Sequence, residues 1–249
     1  MIMESSAILF LDVCRILTFI GSGIILIFLI RHLKSVEKVA RPFIISLVTL
    51  FLFELCGAIL NWIFNKLTAF NTDVDPLDPI YFLYGLGYTF VITSFVYLIF
   101  NLEKGLFQNP LIKNKHLITI IEAPFIFAYV IGFIVLYSLR IPLPFNIFFL
   151  IVVGVIGIQS LFFIVGFLYI GIQSTGIYRR NALLVVIGYS IRLGANVISA
   201  VTSYIVNQDS WQGGMVPAYP FFAIAALLIF VGMTIASYGL LNLYRLKKT

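Results

Sequence analysis

The chain has 249 residues, of which 61% are hydrophobic and only 10% are charged, and its mean hydropathy is +1.09. Soluble domains carry about 25% charged residues, so this composition excludes a soluble globular protein and predicts an integral membrane protein. The formal net charge of +6 would favour an acidic partner in a soluble protein. Here we expect the lipid bilayer to surround the chain, and we expect no nucleic acid as a partner.

Seven apolar segments are each long enough to cross a bilayer, which takes about 20 residues in a helix. The apolar runs are continuous rather than alternating, and this favours an all-α protein over a barrel of strands. The connections are too short to fold by themselves, so residues 1–249 are predicted to form a single seven-helix transmembrane domain. We place the helices near residues 7–30, 42–64, 80–101, 117–139, 145–173, 182–206 and 218–243.

The distribution of basic residues predicts how the chain is oriented, because lysine and arginine collect on cytoplasmic loops. Twelve of the 16 Lys and Arg lie in the first, third and fifth loops and in the C-terminal tail, and only Lys66 and Arg140 lie in the other loops. We therefore place the N-terminus outside and the C-terminus in the cytoplasm. The usage of Ile, Phe, Lys and Asn is compatible with a prokaryote, and we expect this multi-pass protein to lie in the plasma membrane.

Two segments resemble one another and suggest an internal repeat. Pro79–Lys104 and Pro220–Arg245 align without a gap, and six of their 26 paired positions are identical. A Thr, a Tyr and an Asn recur at steps of four residues in both, which places them along one face of a helix. Because these segments are the third and seventh helices, we predict a 3+1+3 arrangement of parallel repeats, with helices 1–3 and 5–7 joined by helix 4.

The repeated Thr, Tyr and Asn form two polar stripes that run towards the predicted cytoplasmic side. The first interpretation is that they donate hydrogen bonds between helices, as polar side chains do in membranes. The alternative is a symmetric inner gate. The candidate gate residues are Thr93, Tyr97 and Asn101 in helix 3, and Thr234, Tyr238 and Asn242 in helix 7.

Five ionisable residues fall inside the predicted spans: Asp12, Arg15, Glu54, Glu122 and Arg192. Such residues are costly in hydrocarbon and are functional candidates by default. At about 1.5 Å of helix rise per residue, Glu54 and Arg192 lie about 20 Å and about 18 Å from the predicted cytoplasmic edge, near the midplane. Glu122 is close to the start of helix 4, and we expect it to reach the cytoplasmic interface or a lysine there.

Two interpretations of the mid-span charges are open. In the functional one, a central polar cavity binds an anionic or hydrogen-bonding group at Arg192, and Glu54 carries a proton or a cationic group. In the structural one, a Glu54–Arg192 pair or a Glu54–Arg15–Asp12 triad holds the helices together, because buried charges must be paired in either case. The candidate ligand- or ion-binding residues are Glu54, Arg192, Arg15, Asp12, Asn61 and Asn196.

The chain shows no sequence motif of a catalytic, metal or cofactor site, so we predict that it is not an enzyme and holds no metal. Its seven spans with an external N-terminus resemble microbial rhodopsins and seven-helix receptors, and the 3+1+3 arrangement resembles the SWEET and PQ-loop transporters. A standard retinal Schiff base requires a lysine in the last helix, and residues 218–243 contain none. The mid-span proline of the PQ-loop signature is also missing from helices 1 and 5, so the resemblance covers topology alone.

Three functions fit these patterns. The first is the transport or binding of a small solute or ion at a midplane polar cavity, which the repeat and the depth of Glu54 and Arg192 favour. The second is a seven-helix sensor or receptor, whose basic loops and tail would dock a cytoplasmic protein. The third is a structural subunit of a membrane complex. A cytoplasmic partner or a homo-oligomer is compatible with any of them.

The predicted orientation is testable with reporter fusions. Alkaline phosphatase is active only outside the cytoplasm, so a fusion after Thr72 should be active and a fusion after Thr249 inactive. Green fluorescent protein at the same two positions should give the opposite pattern of fluorescence. An active phosphatase after Thr249 would reverse the predicted orientation.

Overall fold

The computed structural model describes residues 2–35, 41–68, 78–105, 116–141, 145–206 and 218–246. Within these ranges the regular structure is helical, and seven of the helices are long and apolar enough to cross a membrane. This confirms the predicted all-α class and indicates a multi-pass integral membrane protein. The helices are α1 Ile2–Ser35, α2 Arg41–Leu67, α3 Pro79–Gly105, α4 Leu117–Ser138, α5 Phe145–Gln173, α6 Gly176–Val206 and α7 Tyr219–Leu246.

The largest difference from the predicted boundaries is at the start of α6. This helix begins at Gly176 rather than at residue 182, so only Ser174 and Thr175 separate it from α5. Gly176 has a φ of 61°, a left-handed conformation that glycine adopts without steric strain and that permits such a short turn. Arg179 and Arg180, predicted to lie in a loop, are exposed residues of the first helical turns. Hydropathy marks only the apolar part of a helix, whereas backbone hydrogen bonding continues into polar residues.

The chain divides into two compact units. The first comprises Met1–Gly21 and Ile156–Thr249, and the second comprises Ser22–Val155. The first unit contains the closely packed pair α6 and α7, and the second contains the closely packed pair α2 and α3. The boundaries fall inside α1 and α5, so the units do not coincide with the three-helix repeats expected from the sequence, and the repeat itself stays a prediction.

In the second unit, α2 and α3 approach each other at Gly57 and Gly87. A Cβ atom added to Gly57 would lie 2.5 Å from the carbonyl oxygen of Gly87. A Cβ atom added to Gly87 would lie 2.5 Å from Oδ1 of Asn61, one turn further along α2. Side chains larger than hydrogen are therefore excluded at both positions, and the missing Cβ of Gly87 provides the space that the Asn61 side chain occupies.

Phe148 anchors the first part of α5 in the same unit. Its ring is buried, and its centroid lies 5.7 Å from that of Tyr84 on α3 and 5.5 Å from that of Phe133 on α4. Tyr81 and Tyr129 complete the surroundings at 5.8 Å and 6.0 Å. One aromatic side chain thus links three helices through contacts at the usual separation of interacting rings.

In the first unit, α6 and α7 approach each other at Gly188 and Gly232. A Cβ atom on Gly188 would overlap the carbonyl oxygen of Gly232 and lie 2.6 Å from the backbone nitrogen of Ala236. A Cβ atom on Gly232 would lie 3.0 Å from the backbone nitrogen of Arg192. This crossing therefore holds α7 against the turn of α6 that carries the mid-span arginine.

We expect Gly188→Ala to destabilise the protein by about 1–3 kcal/mol, because the added methyl group meets backbone atoms that move only if the helices separate. Gly194→Ala is the matched control on the same helix, since nothing lies within 4 Å of a Cβ there. Thermal unfolding in detergent should show a lower midpoint for the first variant and an unchanged or higher midpoint for the second, because alanine favours helix. Equal midpoints for the two variants would contradict the close approach of Gly188 to the backbone of α7.

Candidate functional site

Arg192 lies near the centre of α6 and is fully enclosed by protein. Only 1% of its surface is exposed, and it is among the largest fully buried side chains. An ionised guanidinium in apolar surroundings needs compensating partners, and Arg192 takes part in at least one noncovalent interaction. The residue that the sequence singles out is therefore a buried charge that does not face lipid.

Further polar side chains surround this level of α6. Tyr189 precedes Arg192 by about one turn, and its ring stacks on Phe163 of α5 at a centroid distance of 4.1 Å and an interplanar angle of 19°. Because α5 and α6 run in opposite directions, this contact places Gln159, one turn before Phe163, at the level of Arg192. A Cβ atom on Gly157 would lie 3.9 Å from Leu193, which agrees with that alignment.

The side chains at this level offer mostly hydrogen-bond donors. Tyr189 and Gln159 are both 1% exposed, and Asn196, one turn beyond Arg192, is half-buried. The Asn196 Nδ2 atom donates no hydrogen bond to a described residue. A guanidinium, a phenol and two carboxamides are the groups that recognise carboxylates and other small anions in proteins.

The other predicted charges are divided between the two units. Glu54 lies at the centre of α2 in the second unit, whereas Asp12 and Arg15 belong to the part of α1 in the first unit. All three are half-buried, and each takes part in at least one interaction. The predicted Glu54–Arg192 pair and the Glu54–Arg15–Asp12 triad stay predictions. Asn61 packs at the Gly87 crossing, as described above.

The two polar stripes make local hydrogen bonds among the described residues. Thr93 Oγ1 donates to the carbonyl oxygen of Thr89 at 2.7 Å, and Thr234 Oγ1 donates to that of Phe230 at 2.8 Å, each within its own helix. Asn101 Nδ2 likewise donates to the carbonyl oxygen of Tyr97. These contacts link neither stripe to another helix.

The tyrosines of the two stripes are the least enclosed members. Tyr97 is 39% exposed and Tyr238 is 58% exposed, so both rings project from the protein surface. Asn242, the last member of the second stripe, is half-buried. The inner gate stays a prediction, and the described contacts give it no added support.

A second polar cluster, which the sequence analysis missed, joins the end of α3 to the start of α4. Glu103 is 0% exposed. Its Oε1 atom accepts hydrogen bonds from the backbone N–H of Ile118 at 2.5 Å and of Thr119 at 3.1 Å. Its Oε2 atom accepts a short hydrogen bond from the Thr119 hydroxyl. Glu103 therefore caps α4 from a neighbouring helix, at a helix end whose exposed N–H groups and dipole favour an anion.

His116 forms the more exposed side of this cluster. It precedes α4 in a left-handed conformation, with φ 47° and ψ 48°, and its side chain makes no cap hydrogen bond to the helix. Its Nδ1 atom lies 3.5 Å from Oε2 of Glu103, and its ring stacks on Phe100 at 4.5 Å. A protonated imidazole would therefore form an ion pair with the buried carboxylate.

Glu122 lies on the same face of α4 as the two amides that bind Glu103, one turn further along. It is 3% exposed, and neither carboxyl oxygen has a hydrogen-bond partner among the described residues. The side chain is thus enclosed by protein, and the expectation that Glu122 reaches the interface or a lysine there stays a prediction, because Lys113 and Lys115 lie outside the described residues. We call Glu103, His116, Thr119 and Glu122 the carboxyl cluster.

One signal could have pointed to the carboxyl cluster. Helix 4 was predicted to start at residue 117, and His116 before it is not one of the residues that usually cap a helix. The first N–H groups of that helix consequently need an acceptor from elsewhere in the chain. The apolar run of α3 ends at residue 101, so hydropathy does not place Glu103 on this helix. The helix itself continues to Gly105.

Comparison with protein-family models, with curated proteins and with solved structures found no match to this chain.

A double-mutant cycle tests the cap described for Glu103. Glu103→Gln and Thr119→Val should each lower the free energy of unfolding by about 1–2 kcal/mol, since each weakens a buried charge-assisted hydrogen bond. Because they remove the same contact, the double variant should lose less than the sum of the two, by about 0.5 kcal/mol or more. Chemical unfolding in detergent gives all four values, and strict additivity would show that the two side chains do not interact.

Proposed function

We propose that the protein binds a small anionic solute at the middle of α6 and moves it across the membrane, with Arg192 as the residue that recognises the anion. The observation that carries this proposal is the complete burial of Arg192 at the centre of a spanning helix. Its guanidinium stays charged and presents five N–H donors in a fork that matches a carboxylate or a similar oxyanion.

The surroundings of Arg192 support binding over packing alone. Tyr189 is held by its stack on Phe163, and Gln159 and Asn196 add carboxamide groups near the same level. Replacing buried ionic groups by apolar ones is often neutral or stabilising, so stability alone is a weak reason for an arginine here. Ionisable residues within spans are typical of substrate and ion pathways. Glu54 belongs to the other unit and forms no part of this proposal.

Flux into proteoliposomes tests the proposal. Vesicles containing the purified protein receive an inside-positive potential from external potassium and valinomycin, and uptake of radiolabelled chloride, acetate and inorganic phosphate is measured. We expect wild type to take up at least one of the three faster than protein-free vesicles. Arg192→Gln should reduce that uptake by about tenfold or more, equivalent to at least about 1.4 kcal/mol of lost anion stabilisation. Arg192→Lys should retain part of it, because lysine keeps the charge but not the fork.

Arg180→Gln is the matched control, since it removes an exposed arginine from the same helix. Thermal unfolding of each variant identifies loss of folding as a separate cause of lost uptake. If wild type moves none of the three anions and none raises its melting temperature, anion transport is ruled out for these probes. A sensor acting on a cytoplasmic protein, or a structural subunit, would then be the function to test by isolating stable complexes from membranes.

A further inference from the structure

We propose that Glu103 and Glu122 form a proton-binding carboxyl pair at the start of α4, in which Glu103 is ionised and Glu122 holds the proton. The pair lies wholly within the second unit. The proposal is therefore independent of anion binding at Arg192, and it assigns a second ligand, the proton, to a different part of the protein.

Hydrogen-bond donors surround the carboxyl group of Glu103. Two backbone N–H groups and the Thr119 hydroxyl all donate to its oxygens. Donors that converge on a carboxyl group stabilise its ionised form, and the positive end of a helix dipole adds to this effect. The donors at this helix end are thus directed at one carboxylate, which leaves Glu103 as the anion of the pair.

Among the described residues, Glu122 lacks the hydrogen-bond donors that surround Glu103. Its side chain is enclosed, and no described residue donates to either of its oxygens. It lies about one turn beyond Thr119, whose backbone N–H and hydroxyl both donate to Glu103, so the two carboxyl groups are neighbours at this end of α4. An unsolvated carboxylate beside another carboxylate is strongly unfavourable, and such a group stays neutral instead. Two carboxyl groups in contrasting environments commonly divide into one anion and one acid.

Few other ionisable residues lie near Glu103 and Glu122 among the described residues. From α3, the helix packed against α4, Glu103 and Lys104 are the ionisable residues at this end, and His116 lies beside Glu103. Tyr129 follows Glu122 two turns later on the same face of α4, and Lys104 is next to Glu103 in sequence. Lys113 and Lys115 lie outside the described residues. The imidazole of His116 adds a positive charge beside Glu103 when it is protonated.

His116 also gives the pair a route to water. Its side chain is 29% exposed, while Glu103 beside it is completely buried. Nδ1 of His116 lies 3.5 Å from Oε2 of Glu103. The imidazole is therefore the member of the carboxyl cluster that joins buried Glu103 to the protein surface.

Dicyclohexylcarbodiimide provides the test, because this apolar reagent adds to protonated carboxyl groups in membranes and leaves a stable N-acylurea. Full-length protein in lipid vesicles is treated with the reagent at several pH values in potassium buffer. Cleavage after Lys104 and Lys115 separates the peptides that contain Glu103 and Glu122, and mass spectrometry measures the label in each. The label is located in the wild-type protein, so the result does not depend on whether a variant folds.

We expect the label on Glu122 to exceed that on Glu103 by about tenfold or more, because the reagent adds to the carboxyl group that holds the proton. The label on Glu122 should fall as the pH is raised. Glu122→Asp should remain reactive and Glu122→Gln should lose the label from this peptide. Reaction at Glu103 instead, or at neither residue, would overturn the proposal.

Sodium separates a proton site from a site for a metal cation. In sodium buffer at the same pH and ionic strength, we expect the label on Glu122 to be unchanged. Protection by sodium would show that the carboxyl group is ionised and binds a cation, which contradicts the proposal. Neither result requires transport activity, so a failure of the Arg192 proposal and a failure of this one are distinguishable.

Discussion

Hydrocarbon offers no hydrogen-bond partner, and this constraint acts on the backbone of the protein as much as on its few polar side chains. Helices satisfy their own peptide groups except in the first and last turns. At the start of α3 the solution is local, because Oδ1 of Asp78 accepts the N–H of Ile80 at 2.8 Å. At the start of α4 it is distant, because the acceptor is Glu103 of another helix. The same need for acceptors thus produces an ordinary cap in one place and a link between two helices in the other.

Close helix contact is the second consequence of an apolar environment. Lipid tails are as apolar as the side chains they would replace, so helices associate through tight packing instead of through the hydrophobic effect. The Gly57–Gly87 and Gly188–Gly232 crossings meet this requirement by removing side chains from the contact. Each crossing also positions a polar group nearby: Asn61 packs into the space left by Gly87, and Gly232 lies against the backbone of Arg192. Packing and polar chemistry are therefore coupled through the same small residues.

The features that could be predicted from the sequence are those that depend on long apolar segments. All seven helices follow from apolar runs of spanning length. The burial of Arg192 is in keeping with the cost of a charge in a span. Hydropathy did not predict that α6 would begin at Gly176 or that α3 would continue to Gly105, because polar residues at helix ends carry no apolar signal. The cap by Glu103 depends on a contact between residues 15 positions apart, and local patterns do not report which distant acceptor fills a vacant position. For the same reason, local sequence patterns do not identify the partners of Glu54, Asp12 and Arg15.

The two buried carboxyl groups show why burial alone does not identify a functional residue. Glu103 is the more deeply enclosed, yet donors occupy both of its oxygens and its charge is matched by the structure around it. Such a group is a structural link, because any further ligand would have to displace hydrogen bonds already made. Glu122 is nearly as buried, but its oxygens have no hydrogen-bond partner among the described residues. In the proposed pair, a proton, which is exchangeable, neutralises Glu122 in place of fixed donors. A buried carboxyl group is therefore structural where the fold provides fixed donors to its charge. It is a binding site where an exchangeable ligand neutralises that charge.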